Sequence, residues 1–253
     1  MEPGTGRPSE RRTEHSGADR SDEPAEVVGA PIPDVMPPGA VAVAGMTADW
    51  LDHPLKRVID LAVAGPAFLV ALPVMLLIAV AIRLDSPGSA LFRQARVGRG
   101  GRSFLMLKFR TMQEGAEEAL EAGLPGDPAI EATWRRYQKL MDDPRVTRVG
   151  RLLRRWSLDE LPQLWNVLRG EMTLVGARPI LPKQRSDYGP AFEAYTAAPP
   201  GLTGLWQVSG RSRLSFLDRV ECDERYRRSC SLGLDLRILL RTVVAVASRD
   251  GAW

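Results

Sequence analysis

Histidine and cysteine are almost missing: 253 residues hold two of each. A Ser-His-Asp relay or a Cys-His pair needs a histidine inside a folded domain. His15 lies in a polar N-terminal stretch and His53 beside an apolar run, so neither is placed for that work. Zinc centres built on Cys and His are excluded on the same ground. Cys222 and Cys230 make no CxxC pair and no disulfide framework; they read as small buried apolar side chains in a reducing compartment. Net charge is small, +3, so the placement of the basic residues matters more than their excess. What remains for covalent or acid–base chemistry is carboxylate, with Lys, Arg and Tyr in support.

No aromatic residue precedes Trp50, and the first stretch is rich in Pro, Gly, Ser, Glu and Arg. Such a composition buries too little apolar surface to offset ordering entropy. Residues 1–48 therefore read as a disordered polar tail, without the apolar core of a secretory signal. Residues 49–253 read as one folded unit that begins with an apolar helix at about 56–84.

Leu61–Ile82 has no charged residue. As a straight helix it spans about 33 Å, the thickness of a bilayer's hydrocarbon. Lys56 and Arg57 precede it and Arg83 follows, so positive charge gives no inside–outside asymmetry. Pro66 and Pro73 interrupt the hydrogen-bond ladder, and a mid-helix proline bends a helix. Symmetric basic flanks and a central bend suit a helix that dips into one leaflet and returns better than one that crosses.

A compact polar domain follows. Ala90–Val97 and Ser103–Phe109 read as strands around the turn Gly98–Gly101. Ala116–Asp142 has helical composition, broken near Pro125–Pro128. Leu152–Leu168 reads as one amphipathic helix containing a proline, Gly201–Gly210 as a loop or short strand, and Leu214–Arg228 and Leu232–Ala247 as helices. The class is α+β, mainly helical, with a short hairpin. The helix at 152–168 and the last one alternate leucine, valine and tryptophan with arginine, a pattern that either packs on the domain's own core or lies among lipid headgroups.

The chemistry concentrates after Asp143. Arg145, Arg148, Arg151, Arg154 and Arg155 crowd ahead of the acidic pair Asp159–Glu160. Guanidinium forks match phosphate geometry. Adjacent carboxylates among cations suit a Mg²⁺ site completed by phosphate oxygens, or an aspartate that accepts a phosphoryl group covalently. The structural alternative is a helix start, with Ser157 as N-cap and Glu160 completing a capping box.

Motifs in order along the chain then carry a resemblance. They are Lys56-Arg57 with Asp60, Asp85-Ser86-Pro87-Gly88, Phe92-Arg93-Gln94, Arg96-Val97-Gly98 and Lys108-Phe109-Arg110-Thr111-Met112. After these come Asp143-Pro144-Arg145, Ser157-Leu158-Asp159-Glu160-Leu161-Pro162-Gln163, Asn166-Val167-Leu168, Val175-Gly176 with Arg178-Pro179, Gly201-Leu202-Thr203-Gly204 and Trp206 through Arg211. From about Lys56 onward the chain resembles the bacterial sugar transferases, monotopic phosphoglycosyl transferases that act on polyprenyl phosphate. The resemblance implies that an Asp of the Asp-Glu dyad, here Asp159, attacks the β-phosphate of a UDP-sugar and releases UMP. The phosphate of undecaprenyl phosphate then takes the sugar phosphate from the aspartyl intermediate. It implies that Glu160, with Asp159, holds Mg²⁺ or that Glu160 helps deprotonate the acceptor. It implies substrate contacts from Arg154 and Arg178, with Lys108, Arg110 and Arg211 as further candidates. It also implies a helix break at Pro73, both ends of that helix in the cytoplasm, and a catalytic domain on the cytoplasmic face of the inner membrane serving exopolysaccharide or another surface glycan. Membrane lipid is the implied surface partner and nucleic acid is not.

Two departures stand out. Ala177 occupies a place where the family usually has proline before the motif arginine, and Ala198-Pro199-Pro200-Gly201 lacks a frequent lysine. The competing readings are a membrane-anchored basic module binding anionic lipid or nucleic acid without catalysis, and a scaffold that has lost activity.

Overall fold

A computed structural model describes residues 50–116, 140 and 143–248. The tail at 1–48 and nearly all of the helical stretch expected at 116–142 lie outside the described residues.

Helix α1, Pro54–Asp85, starts with Pro54 at its first position, and the His53 Nδ1 accepts the Leu55 N–H at 3.2 Å. Both are standard helix-start devices. At 1.5 Å per residue its 32 residues extend about 48 Å. It buries one narrow stripe, Lys56, Asp60, Ala64, Met75, Ile78 and Ile82. The rest is open apolar surface, with Leu69, Val70, Leu76, Leu77, Val80 and Leu84 all more than half exposed. The backbone stays helical through Pro66 and Pro73 to Asp85, so Pro73 ends no helix.

Both ends of α1 rest on the same polar domain. Near its start, Asp60 accepts the Thr173 hydroxyl at 2.7 Å and the Leu174 N–H at 2.9 Å. Lys56 Nζ donates to the Val175 carbonyl at 2.9 Å and to Asp235 Oδ2 at 2.6 Å. Arg57 donates to the carbonyls of Val167 and Leu168 at 2.6 and 2.8 Å, satisfying acceptors that a helix end leaves open. Near the other end, Met75, Ile78 and Ile82 pack with Ala90, Phe109 and Leu153.

Strands β1 (Leu91–Val97) and β2 (Ser103–Phe109) form the expected antiparallel hairpin, registered from Leu91 opposite Phe109 to Val97 opposite Ser103. Helix α2 (Arg148–Arg155) is capped twice: Thr147 accepts the Gly150 N–H and Asp85 the Val149 N–H, both at 3.0 Å. The second bond ties the end of α1 to the start of α2.

The helix expected at 152–168 is two helices. α2 stops at Arg155, a 3₁₀ turn spans Leu158–Glu160, and α3 runs Gln163–Arg169. Pro162 explains the division. It has no N–H for the Leu158 carbonyl, which accepts from Leu161 at 3.3 Å instead, and proline is well suited to a helix start. Leu153, Leu164 and Val167 point into the core while Leu152 and Trp165 are exposed.

Strand β3 (Thr173–Val175) pairs in parallel with β4 (Gly201–Thr203), with helix α4 (Ala191–Thr196) between them. A Cβ at Gly176 or Gly201 would strike the other segment's backbone, so glycine is required where the two chains touch. Gly201–Gly210 is part strand, then the short helix α5 (Leu205–Ser209). Helices α6 (Phe216–Ser229) and α7 (Leu232–Ser248) close the fold. The main core joins Ala64 of α1 to Met106, Val167, Met172, Val175, Tyr226 and Ile238. Cys222 and Cys230 lie in it, and burial pushes their thiols up to about 12 and about 11, as befits inert apolar side chains.

Candidate active site

Asp159 and Glu160 lie on the 3₁₀ turn between α2 and α3. Ser157, which opens that turn, is not the capping-box residue expected: it adopts φ 55° and ψ 23°, and its side chain caps nothing. Its Oγ instead accepts from Arg211 Nη2 at 2.8 Å. Arg211 is itself at φ 52°, and these are the two non-glycine residues at positive φ among the described residues. Left-handed backbone costs about 1–3 kcal/mol per residue and persists where surrounding structure imposes it. Here the Arg211–Ser157 bond joins the two strained residues across the mouth of the turn. The other arm of Arg211 donates to the Ala245 carbonyl at 3.1 Å, tying the turn to α7.

Cations surround the pair. Lys108, from β2, donates to Glu160 Oε1 at 2.8 Å. Arg154, from the last turn of α2, faces Asp159 and is held by a bond from its Nε to Thr111 Oγ1 at 3.0 Å. Arg178 and Arg211 act on Glu160. A third of the Glu160 side-chain surface is open, although protein encloses the pair on most sides. Burial raises the Asp159 carboxyl above the ordinary aspartate value; Lys108 and Arg154 oppose this and the Glu160 charge adds to it. Burial pushes Glu160 up as well, but Lys108, Arg178 and Arg211 together hold it below the ordinary glutamate value. The surroundings thus set the two carboxyls apart: Glu160 is the readier anion, and Asp159 the more basic, desolvated group.

Of the seven residues the sequence assigned to the chemistry, the fold gathers six: Asp159, Glu160, Lys108, Arg154, Arg178 and Arg211. Arg110 is employed elsewhere. Its guanidinium donates to the Ser86 carbonyl and hydroxyl at 2.8 and 2.9 Å, closing the end of α1 onto β2. Among the clustered arginines, Arg145 is spent on Asp143, while Arg148, Arg151 and Arg155 face solvent. Lys56, Arg57 and Asp60 anchor α1 as described, and the Asn166 carboxamide docks α3 on β2 by accepting the Leu107 N–H and donating to the Leu105 carbonyl.

The sequence reading missed the support behind Arg178. Its guanidinium carbon lies 4.7 Å from the Trp206 ring centre, and that of the buried Arg219 lies 5.5 Å from the same ring. Asp223 and Tyr188 back the Arg178 main chain. No motif spacing signals these contacts, because they join helix α6 to a segment far away in the chain.

Among the described residues no three His, Cys, Asp or Glu side chains converge, so the protein alone offers no metal cage. The dyad nevertheless fits Mg²⁺, which commonly takes one or two carboxylates and fills its shell with phosphate oxygens and water.

Residues 51–249 match the sequence profile described as bacterial sugar transferase. The UDP-galactose-lipid carrier transferase of Erwinia amylovora is 45% identical over 199 residues, 79% of this chain and 42% of that protein. The exopolysaccharide production protein ExoY of Rhizobium meliloti is 43% identical over 198 residues, 78% of this chain and 88% of ExoY. The UDP-glucose:undecaprenyl-phosphate glucose-1-phosphate transferase of Caulobacter vibrioides is 43% identical over 209 residues, 78% of this chain and 72% of that protein. The chain thus spans less than half the length of the Erwinia relative and most of ExoY.

Proposed function

The chain belongs to the bacterial sugar transferase family, and from that premise we propose that it moves a hexose 1-phosphate from a UDP-hexose to undecaprenyl phosphate in surface-glycan synthesis. The observation that carries this reading is the Asp159–Glu160 pair on one tight turn, with Lys108 bonded to Glu160 and Arg154, Arg178 and Arg211 around the pair. The named relatives act with UDP-galactose, UDP-glucose and undecaprenyl phosphate, which supports this choice of donor and acceptor.

Phosphoryl transfer asks for charge neutralisation and in-line placement more than for proton relays. Asp159 Oδ forms a bond to the β-phosphorus of the donor as the bond from that phosphorus to the bridging oxygen breaks, and UMP leaves with that oxygen. An oxygen of the lipid phosphate then attacks the same phosphorus. The Asp159 carboxylate departs, giving an undecaprenyl diphospho-sugar. Arg154 neutralises charge beside Asp159, and Arg178 and Arg211 do so beside Glu160. Lys108 keeps Glu160 ionised. Glu160 and Asp159 would hold Mg²⁺, which when bound supplies further neutralisation of phosphate charge.

The membrane reading rests on α1. It is the one described helix long and apolar enough to cross a bilayer, yet residues near both of its ends pack on one polar domain. A straight crossing would carry one end away from that domain. A helix bent within its length near Pro73 and immersed in the cytoplasmic leaflet keeps both contacts and buries its open leucines and valines. Helix α7 adds exposed Leu240, Val243 and Val244, and α2 exposed arginines for headgroups. Single cysteines placed at Trp50 and Ser86 should both react with an impermeant thiol reagent from the cytoplasmic face only. Modification of the second from the outside would establish a crossing helix.

The activity itself is tested by incubating purified protein with Mg²⁺, undecaprenyl phosphate and a panel of UDP-sugars. UMP and lipid-linked product should appear with a UDP-hexose. Folded protein in lipid nanodiscs that releases UMP from none of them would favour a basic lipid-binding module or an inactive scaffold.

A further inference from the structure

Arg178 stands on a segment that its own sequence does little to stiffen. Ala177 brings no ring to restrict the backbone before it, and Gly176 has no side chain at all. The segment is pinned from outside. The Ala177 carbonyl accepts the Gly201 N–H at 2.8 Å, Arg96 donates to the Pro179 carbonyl at 3.0 Å, and Tyr195 accepts the Ile180 N–H at 3.1 Å. At Arg178 itself the holding group is the buried Asp223 carboxyl, which burial pushes up to about 7. Both oxygens of Asp223 accept the Arg178 N–H at 3.2 Å, and Asp223 Oδ2 also accepts the Tyr188 hydroxyl at 3.0 Å.

The support is rigid in its turn. Asp223 is 5% exposed and sits on the 14-residue helix α6. Tyr188 is wedged between the rings of Tyr195, 5.0 Å away, and Phe216, 5.9 Å away. From this anchored main chain the Arg178 side chain passes over Trp206 toward Glu160. Arg219, from α6, lies against the same indole.

We propose that Asp223 is a positioning residue for the transfer: by holding the Arg178 main chain, it aims the Arg178 guanidinium at the donor phosphate. The proposal rests on the phosphate-binding reading of Arg178 given above. Asp223 touches no reacting atom, so its whole effect passes through Arg178. That dependence separates positioning from a general structural role, because a residue that merely stabilises the fold has no reason to lose its effect when the Arg178 side chain is removed.

The test is a double-mutant cycle on the full chain in nanodiscs, reading UMP release and thermal unfolding together. Asp223→Asn offers one carbonyl oxygen to two donors and turns an N–H toward one of them. It should lower kcat/KM about tenfold, the scale of one lost hydrogen bond, with a small change in melting temperature. Arg178→Ala should cost about 100-fold or more, the scale of a misplaced or missing phosphate contact. Adding Asp223→Asn to Arg178→Ala should then change the rate less than about twofold, since coupled sites are not additive. Losses that multiply in the double variant, or an Asp223→Asn enzyme at full rate, would overturn the proposal while leaving the transferase reading intact. Full turnover by Arg178→Ala, or no UMP release from the wild type, removes the reading beneath it. If Asp223→Asn yields no folded protein, Tyr188→Phe strips one donor and keeps the ring, and the same cycle applies with an expected loss of about threefold.

Discussion

Replacing Asp159 with Asn is expected to abolish UMP release, lowering turnover on the order of 10⁴-fold or more, with the protein still folded. The amide has the same shape but no nucleophilic oxygen for the β-phosphorus. Its effect on stability has the opposite sign from its effect on rate. Burial raises the Asp159 carboxyl above its ordinary value. An acid raised by folding contributes stability below its unfolded-state pKa and loses it as pH rises through the folded value. Charging Asp159 inside the fold is therefore a cost, and a neutral Asn does not carry it. Thermal unfolding of the variant should match or exceed the wild type at pH 7. Turnover above about a tenth of wild type would remove Asp159 from its role.

The second large effect is on folding. Lys56 is 6% exposed, and its Nζ lies 2.6 Å from Asp235 Oδ2 and 2.9 Å from the Val175 carbonyl. Asp235 also accepts from Tyr226 at 2.7 Å and Trp50 at 3.0 Å. One buried pair thus joins the start of α1 to β3, α6 and α7. Removing one partner of such a pair leaves an uncompensated buried charge and costs about 3–5 kcal/mol. Domains have about 5–15 kcal/mol in total, so Lys56→Met should fail to accumulate or melt far below the wild type. Lys56→Met with Asp235→Leu should recover part of the loss, because neither charge is then left alone. A Lys56→Met protein that unfolds within about 1 kcal/mol of wild type would show that the ion pair does not hold α1 to the domain.

The same pair shows where sequence reading stops. Lys56 and Asp235 are 179 positions apart, and nothing in either neighbourhood names the other. Lys56 reads as a basic flank of an apolar helix, the charge that sets topology, yet the fold buries it. Asp223 hides equally well in Glu221-Cys222-Asp223-Glu224-Arg225, which looks like a solvated helix face. Tyr188 and Arg178 from distant segments turn it into a buried anchor.

Local patterns fared differently. The hairpin was legible because two alternating strands flank a glycine turn, and α1 because no charge falls between Leu61 and Ile82. The dyad and its cations were legible as a motif. The division of the helix around it was not, because the missing N–H of Pro162 and the bond from Arg211 to Ser157 act against a strong amphipathic period. Arg110 shows a related limit of local pattern. Lying two residues from Lys108 it shares the motif, but its guanidinium closes the end of α1.

In the proposed mechanism the sugar phosphate passes through Asp159. This is tested most directly by mixing stoichiometric protein with a UDP-hexose and Mg²⁺ in the absence of any lipid phosphate, then measuring UMP and the intact protein mass. A burst of UMP approaching one per protein and a mass gain of one hexose phosphate are expected, both lost in Asp159→Asn. UMP formed only when undecaprenyl phosphate is added, with no mass gain at any time, would mean that the two substrates react directly and that Asp159 does not carry the sugar phosphate.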